Sequence, residues 1–259
     1  MKGGCVMNMR PLQTDLSVFS KIGFERPPVG VKYLFFRPEG IEQLSMDKNL
    51  AFCEMLTEAQ RAKAPFYFSK ENNETCVGKI LLGMTEMEPF AEAGQIGPRL
   101  GMVQEPRVNH NFYHHVPRFS KGIINYVVFA PIDKITFEPD VLIITATPKQ
   151  AEIVMRAMTY STGEPYTSKA TIFMGCSWIY VYPFETGKVN YLMPEWIHGM
   201  TGREIFAPNT VLISIPYQWL QTVTQNLREI KLQFHTSKKE YLEEFQEILV
   251  DLVKESKNP

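Results

Sequence analysis

The sequence lacks most features that identify a function from the primary structure alone. Its longest apolar runs, at 126–130 and 178–182, are five residues each, against the roughly 20 that a membrane-spanning helix needs. No charge sign dominates. With 27 basic and 28 acidic side chains, a net charge of -1 leaves no electrostatic footprint for nucleic acid or for an anionic membrane surface. Cysteines number four and lie far apart, which excludes a disulfide framework of the secreted kind. No apolar signal core follows Met1-Lys2-Gly3-Gly4-Cys5, so the expectation is a cytoplasmic protein. There is no repeat, low-complexity tract or Gly/Ser linker to mark a boundary.

Catalytic signatures are missing as well. Neither G-x-G-x-x-G nor G-x-x-x-x-G-K-[ST] occurs, and Gly94-Gln95-Ile96-Gly97 runs into Pro98, which removes an amide donor from any phosphate cradle. Without G-x-S-x-G, H-E-x-x-H or C-x-x-C-H, the common serine hydrolase, zinc protease and attached-haem readings lose their specific support.

What remains is a chain of 259 residues, 44% of them hydrophobic, enough for one substantial core. Residues 29–36, 66–68, 123–130, 141–145 and 211–215 are β-branched and aromatic runs that read as strands. Helical spacing appears at 14–25, 48–63, 148–160 and 216–230, with prolines at the expected ends. Segments 170–174 and 178–182 are strand-like around Gly175-Cys176. Residues 85–119 hold no sustained period and read as a long loop with one helical turn. A last helix over 238–254 places Tyr241, Phe245, Ile248, Leu249 and Leu252 on one stripe, which suits either packing within the chain or an assembly partner. The alternation predicts an α/β fold: a single domain over 1–259 with a mostly internal mixed sheet flanked by helices, a C-terminal amphipathic helix, and peripheral ends at 1–13 and 255–259.

Several short motifs occur in a set order. These are Pro28-Val29-Gly30-Val31-Lys32, Cys53 within an early helix, Cys76-Val77-Gly78-Lys79 with Leu82-Gly83, Ala130-Pro131 before Pro139-Asp140-Val141, and Cys176-Ser177 before Thr186-Gly187-Lys188. In this order the chain resembles the DUF169 family, a group of uncharacterised proteins common in archaea and anaerobic bacteria. The resemblance runs from about residue 28 to 216 and implies a shared fold and a shared site, with no reaction attached.

By that resemblance Cys53, Cys76 and Cys176 occupy family cysteine positions. Three thiolates brought together suit an iron–sulfur cluster, a thiophilic metal or redox chemistry. Their separations match no compact cluster motif, and burial as small apolar side chains explains Cys53 equally well. Cys76, among Asn72, Asn73, Glu74 and Thr75, fits burial less well. The resemblance also implies a further cysteine near 191–198, where this sequence offers Glu195 and His198 instead, so His198 is a candidate fourth metal ligand. Cys5 is read as an incidental thiol.

The segment 109–118 concentrates three of the five histidines with Tyr113 and Arg118. Tyr113, His114 and Arg118 are candidate ligand-binding residues, the imidazoles for borderline metals and the guanidinium for a carboxylate or phosphate; a solvated loop pinned by its aromatics is the plainer account. Arg203, beside Glu204, suits an anionic ligand or a surface ion pair. Two functions follow as expectations. One is a cytoplasmic iron–sulfur or thiolate-metal protein in anaerobic redox or cofactor metabolism. The other is a non-redox small-molecule binding protein with a pocket between the 94–118 loop and the Cys176 region. The expected partners are a small molecule or a redox protein, with neither nucleic acid nor membrane, and the Met and Phe content allows a homo-oligomer.

Overall fold

The protein is described by a computed structural model over residues 9–232 and 237–257. The chain divides into two compact units, Met1–Arg228 and Glu229–Pro259. Cys5 and the first eight residues fall outside the described residues, as do 258–259 of the predicted peripheral end.

In the first unit the described residues form a seven-stranded sheet of order β2-β3-β4-β1-β5-β7-β6. The strands are β1 (Val29–Leu34), β2 (Glu42–Gln43), β3 (Phe66–Ser69), β4 (Tyr126–Pro131), β5 (Val141–Ala146), β6 (Asn190–Leu192) and β7 (Val211–Pro216). Only β2 and β3 pair in parallel; every other neighbour is antiparallel. The sheet is therefore mixed, within an α/β fold. Val31, Val127, Phe129, Val141 and Ile143 belong to the main apolar cluster, while the alternating Val128, Ala130, Leu142 and Ile144 are equally buried outside it. Both faces are thus covered, which is why the strands read in the sequence as continuous apolar runs.

The helices are α1 (Phe52–Arg61), α2 (Gly78–Leu81), α3 (Pro89–Glu92), α4 (Ile96–Arg99), α5 (Pro106–His115), α6 (Pro148–Thr159), α7 (Tyr182–Thr186), α8 (His198–Thr201) and α9 (Tyr217–Glu229). Thr147 caps α6 in a capping box with Gln150, and Asn226 Nδ2 of α9 donates to the Ala157 carbonyl of α6 at 2.7 Å. Lys32 and Asp140 form a largely buried ion pair at 2.7 Å, the other carboxylate oxygen accepting from the Tyr33 amide. This joins β1 to the turn that opens β5.

Four expectations are corrected. Residues 85–119 are not mainly loop, because α3, α4 and α5 lie within them; Pro89 and Pro106 open two of these helices from extended caps, where proline costs no hydrogen bond. The run 178–182 is not a strand. Ser177–Val181 form a π-helical turn that continues into α7, and all five side chains are buried, so no solvent face gave the segment a helical period. The segment 170–174 carries no strand either. At the amino end, the helix read over 14–25 contracts to a 3-10 segment, Ser17–Ile22.

The second unit carries α10 (Lys238–Lys257), 20 residues long. Its stripe of Tyr241, Phe245, Ile248, Leu249 and Leu252 is about half exposed. Among the described residues no helix is long and apolar enough to cross a membrane.

Candidate functional site

Cys53, Cys76 and Cys176, separated by 23 and 100 positions in the sequence, line one cavity of about 230 Å³. Three local structures bring them there. Cys53 is the second residue of α1, so it sits where the helix leaves its first amides without partners. One of those amides, Phe52 N–H, donates to Cys76 Sγ at 3.4 Å, and Gly78 N–H donates to the same sulfur at 3.4 Å. The close approach needs Gly78: a Cβ there would lie 2.0 Å from the Phe52 ring. Cys176 enters from the other side of the sheet order, at the start of the π-helical turn. Met174 ahead of it holds a left-handed φ of 58°, uncommon for a side chain of its size. A Cβ on Gly175 would stand 2.9 Å from Ile197 and 3.0 Å from Met200, so this glycine lets α8 close against the thiol.

Buried phenols fix the relative placement of these pieces. Tyr180 Oη donates to the Phe52 carbonyl at 2.9 Å, and Tyr33 Oη donates to the Tyr180 carbonyl at 2.7 Å. Strand β1, the Cys176 turn and the start of α1 are thereby joined in series. Arg203 closes the outer wall, donating to the Gly199 carbonyl at 2.8 Å and to the Thr75 carbonyl at 2.6 Å. Its guanidinium is committed to backbone oxygens on both sides, rather than to Glu204 as the sequence suggests.

The thiols differ electrostatically. The neighbouring Cys176 thiol and, to a lesser degree, the Arg203 guanidinium hold Cys53 below the usual thiol range, against the opposing effect of burial. The neighbouring Cys53 thiol pushes Cys176 well up in turn, with burial adding to the shift. Burial, then the neighbouring Glu74 charge, pushes Cys76 up to about 12. Cys76 S–H reaches Glu74 Oε2 at 3.6 Å, and burial raises Glu74 itself to about 7, although its carboxylate accepts the Lys79 amide at 3.0 and 3.2 Å. Cys53 is thus shifted down while Cys76 and Cys176 are shifted up, which keeps the latter two protonated near neutrality.

His198 and Tyr113 lie on the same cavity wall. Tyr113 Oη accepts from the buried Asn109 Nδ2 at 2.9 Å. His114 and Arg118 are exposed and stand outside the lining. Met102, Met174 and Met200 add soft thioethers to the wall. Among the described residues, no group of three His, Cys, Asp or Glu is already gathered around one metal position. The donor chemistry nevertheless fits a thiophilic group: three thiols and three thioethers around a mostly apolar space. Sequence reasoning missed Asn109 and Glu74. The Asn109-x-x-x-Tyr113 spacing, one helical turn, was the available signal, once α5 was known to be a helix.

Comparison with known proteins agrees with the resemblance. No solved structure matches this chain. A curated, uncharacterised protein of the archaeon Methanocaldococcus jannaschii is 22% identical over 215 residues, covering 80% of this chain and 89% of the relative. The family model described as DUF169, "Uncharacterised ArCR", matches residues 19–226, a span that contains all three cavity cysteines and every strand of the sheet, and the chain belongs to the DUF169 family.

Proposed function

We propose that this protein binds an iron–sulfur cluster or another thiophilic metal centre through Cys53, Cys76 and Cys176 and serves redox or cofactor metabolism. The observation that carries the reading is that three cysteines drawn from distant parts of the chain line one cavity. Burial alone explains each sulfur singly but gives no reason for three to share one cavity with three methionine sulfurs. His198, on the same wall, is the residue available as a fourth ligand. When bound, such a group supplies electron transfer or a Lewis-acidic iron. The chain's own part is to surrender thiol protons, exclude water with the apolar wall, and hold the ligand loops together through Arg203 and Tyr180. Because Cys76 is pushed up to about 12, metal binding releases its proton, and affinity rises with pH across the neutral range.

The test is anaerobic purification followed by reconstitution with iron and sulfide. The expected product is brown, with about four irons per chain for a [4Fe–4S] centre and cluster loss in Cys53→Ser, Cys76→Ser and Cys176→Ser. Colourless protein without stoichiometric iron after reconstitution overturns the proposal.

A second reading rests on Tyr113. A buried hydroxyl in a mostly apolar cavity suits a small non-redox ligand carrying one hydrogen-bond acceptor. Retention of such a molecule by metal-free protein, with loss in Tyr113→Phe, favours this alternative.

A further inference from the structure

We propose that His110 and His114 form a second metal site, for a borderline divalent cation such as Zn²⁺ or Cu²⁺, independent of the thiol cavity. Both imidazoles lie on α5 at i and i+4, so they share a helix face. Their Nε2 atoms are 3.0 Å apart. Two imidazole nitrogens, each roughly 2.0–2.1 Å from one ion, stand about 2.9–3.4 Å apart at bond angles between roughly 90 and 110°. The hydrogen-bonded nitrogens, on rings 85° apart in plane, stand within that range.

The tautomer is fixed on one side. His110 Nδ1 lies 2.6 Å from the Glu92 carbonyl oxygen; a carbonyl only accepts, so Nδ1 carries the hydrogen. In the neutral ring the Nε2 lone pair is then free and faces His114. This is the outer-shell arrangement that orients metal-binding histidines, in which the second ring nitrogen donates to a carbonyl. Without an ion, His114 Nε2–H donates to His110 Nε2. With one, His114 keeps its single ring hydrogen on Nδ1, which is solvent-accessible, and presents the Nε2 lone pair. The exchange of position passes through water and changes no net protonation. Among the described residues no third His, Cys, Asp or Glu joins the pair, so the remaining positions are taken by water or an added ligand. The ion would brace α5, whose Asn109 and Tyr113 line the thiol cavity.

Calorimetric titration with Zn²⁺ and with Cu²⁺ tests this on the full chain carrying Cys53→Ser, Cys76→Ser and Cys176→Ser. Failure of the iron–sulfur reading therefore leaves the outcome unaffected. One ion per chain is expected. Affinity should fall at least about tenfold in His110→Ala and in His114→Ala, the low end of what even an outer-shell change costs a metal site, and stay within about twofold in His115→Ala. Where the triple cysteine background does not fold, electron paramagnetic resonance of Cu²⁺ bound to the native chain should show two imidazole nitrogens, reduced to one by His114→Ala. Equal affinity in all three histidine variants, or a Cu²⁺ spectrum indifferent to His114, overturns the proposal.

Discussion

The sheet and the cavity wall are held together by different forces. Strands β1, β4, β5 and β7 contribute aliphatic side chains buried on both faces, so hydrophobic area and backbone ladders fix them with little help from particular polar atoms. Beside residues of α1 and α5, the cavity wall is built from short pieces: α2, α4, α8 and the π-helical turn before α7. None is long enough to be stable alone. Their positions depend on Gly78 and Gly175 allowing close approach, on Tyr180 and Tyr33 donating to buried carbonyls, and on Arg203 spanning two loops. A scaffold tolerant in detail thus supports a site that depends on individual atoms.

The largest expected effect belongs to the scaffold. Ile143→Ala removes a fully buried side chain of the main apolar cluster, and the transfer and cavity contributions together predict about 2–5 kcal/mol of destabilisation. Chemical denaturation measures it. The protein that remains folded should reconstitute metal as before. Loss of metal binding without loss of stability would abolish the distinction between scaffold and wall.

A pH series sharpens the comparison from the other side. Glu74 beside Cys76 is raised from 4.5 to about 7 by burial, so the folded state binds its proton more tightly than the unfolded chain does. For a carboxyl shifted upward, the stabilisation is fully present below about pH 4.5 and is lost as pH rises through about 7. A shift of this size corresponds to roughly 3 kcal/mol, counting about 1.4 kcal/mol per pH unit. Glu74→Gln keeps the shape and removes the titration. The variant should be flatter in stability between pH 5 and 8 than the native protein, and relatively more stable at pH 8. Parallel pH profiles for the two proteins would show that Glu74 is more hydrated than its surroundings imply.

Legibility in the sequence followed the same division. The central strands fall within a few residues of the runs read as strands, because a buried strand leaves an apolar run bounded by turns. Helices α1, α6 and α9 were legible from their period. The wall was not. In α4, Gly97 and Pro98 conceal four helical residues, and the π-helical turn is buried all round, so neither shows a stripe. The thiols are the clearest case: the spacing of 23 and 100 residues carried no signal, and only the family resemblance singled out Cys53, Cys76 and Cys176. Their meeting follows from a sheet order that the sequence does not print. His110 was legible only as one of the three histidines of 109–118, since its pairing with His114 exists only once 106–115 is helical.

The smallest and most local effect separates the two regimes within a single side chain. Tyr180 is part of the main apolar cluster by its ring and part of the wall by its hydroxyl. Tyr180→Phe keeps the ring and removes one hydrogen bond. The Phe52 carbonyl it served also lies within the first turn of α1, where helical bonding offers it another donor, so the cost belongs at the low end for a buried hydrogen bond, about 1 kcal/mol. Cys176 lies one turn before Tyr180, and its thiol is what chiefly holds Cys53 below the usual thiol range. Freed from α1, the turn should let the Cys176 thiol move away from Cys53, raise Cys53 toward an ordinary thiol and slow its alkylation by iodoacetamide at pH 7. Alkylation followed by peptide mapping checks this directly. A variant that loses stability while Cys53 reacts at the native rate would place Tyr180 wholly with the scaffold, and the acidity of Cys53 would then not depend on the Tyr180–Phe52 hydrogen bond.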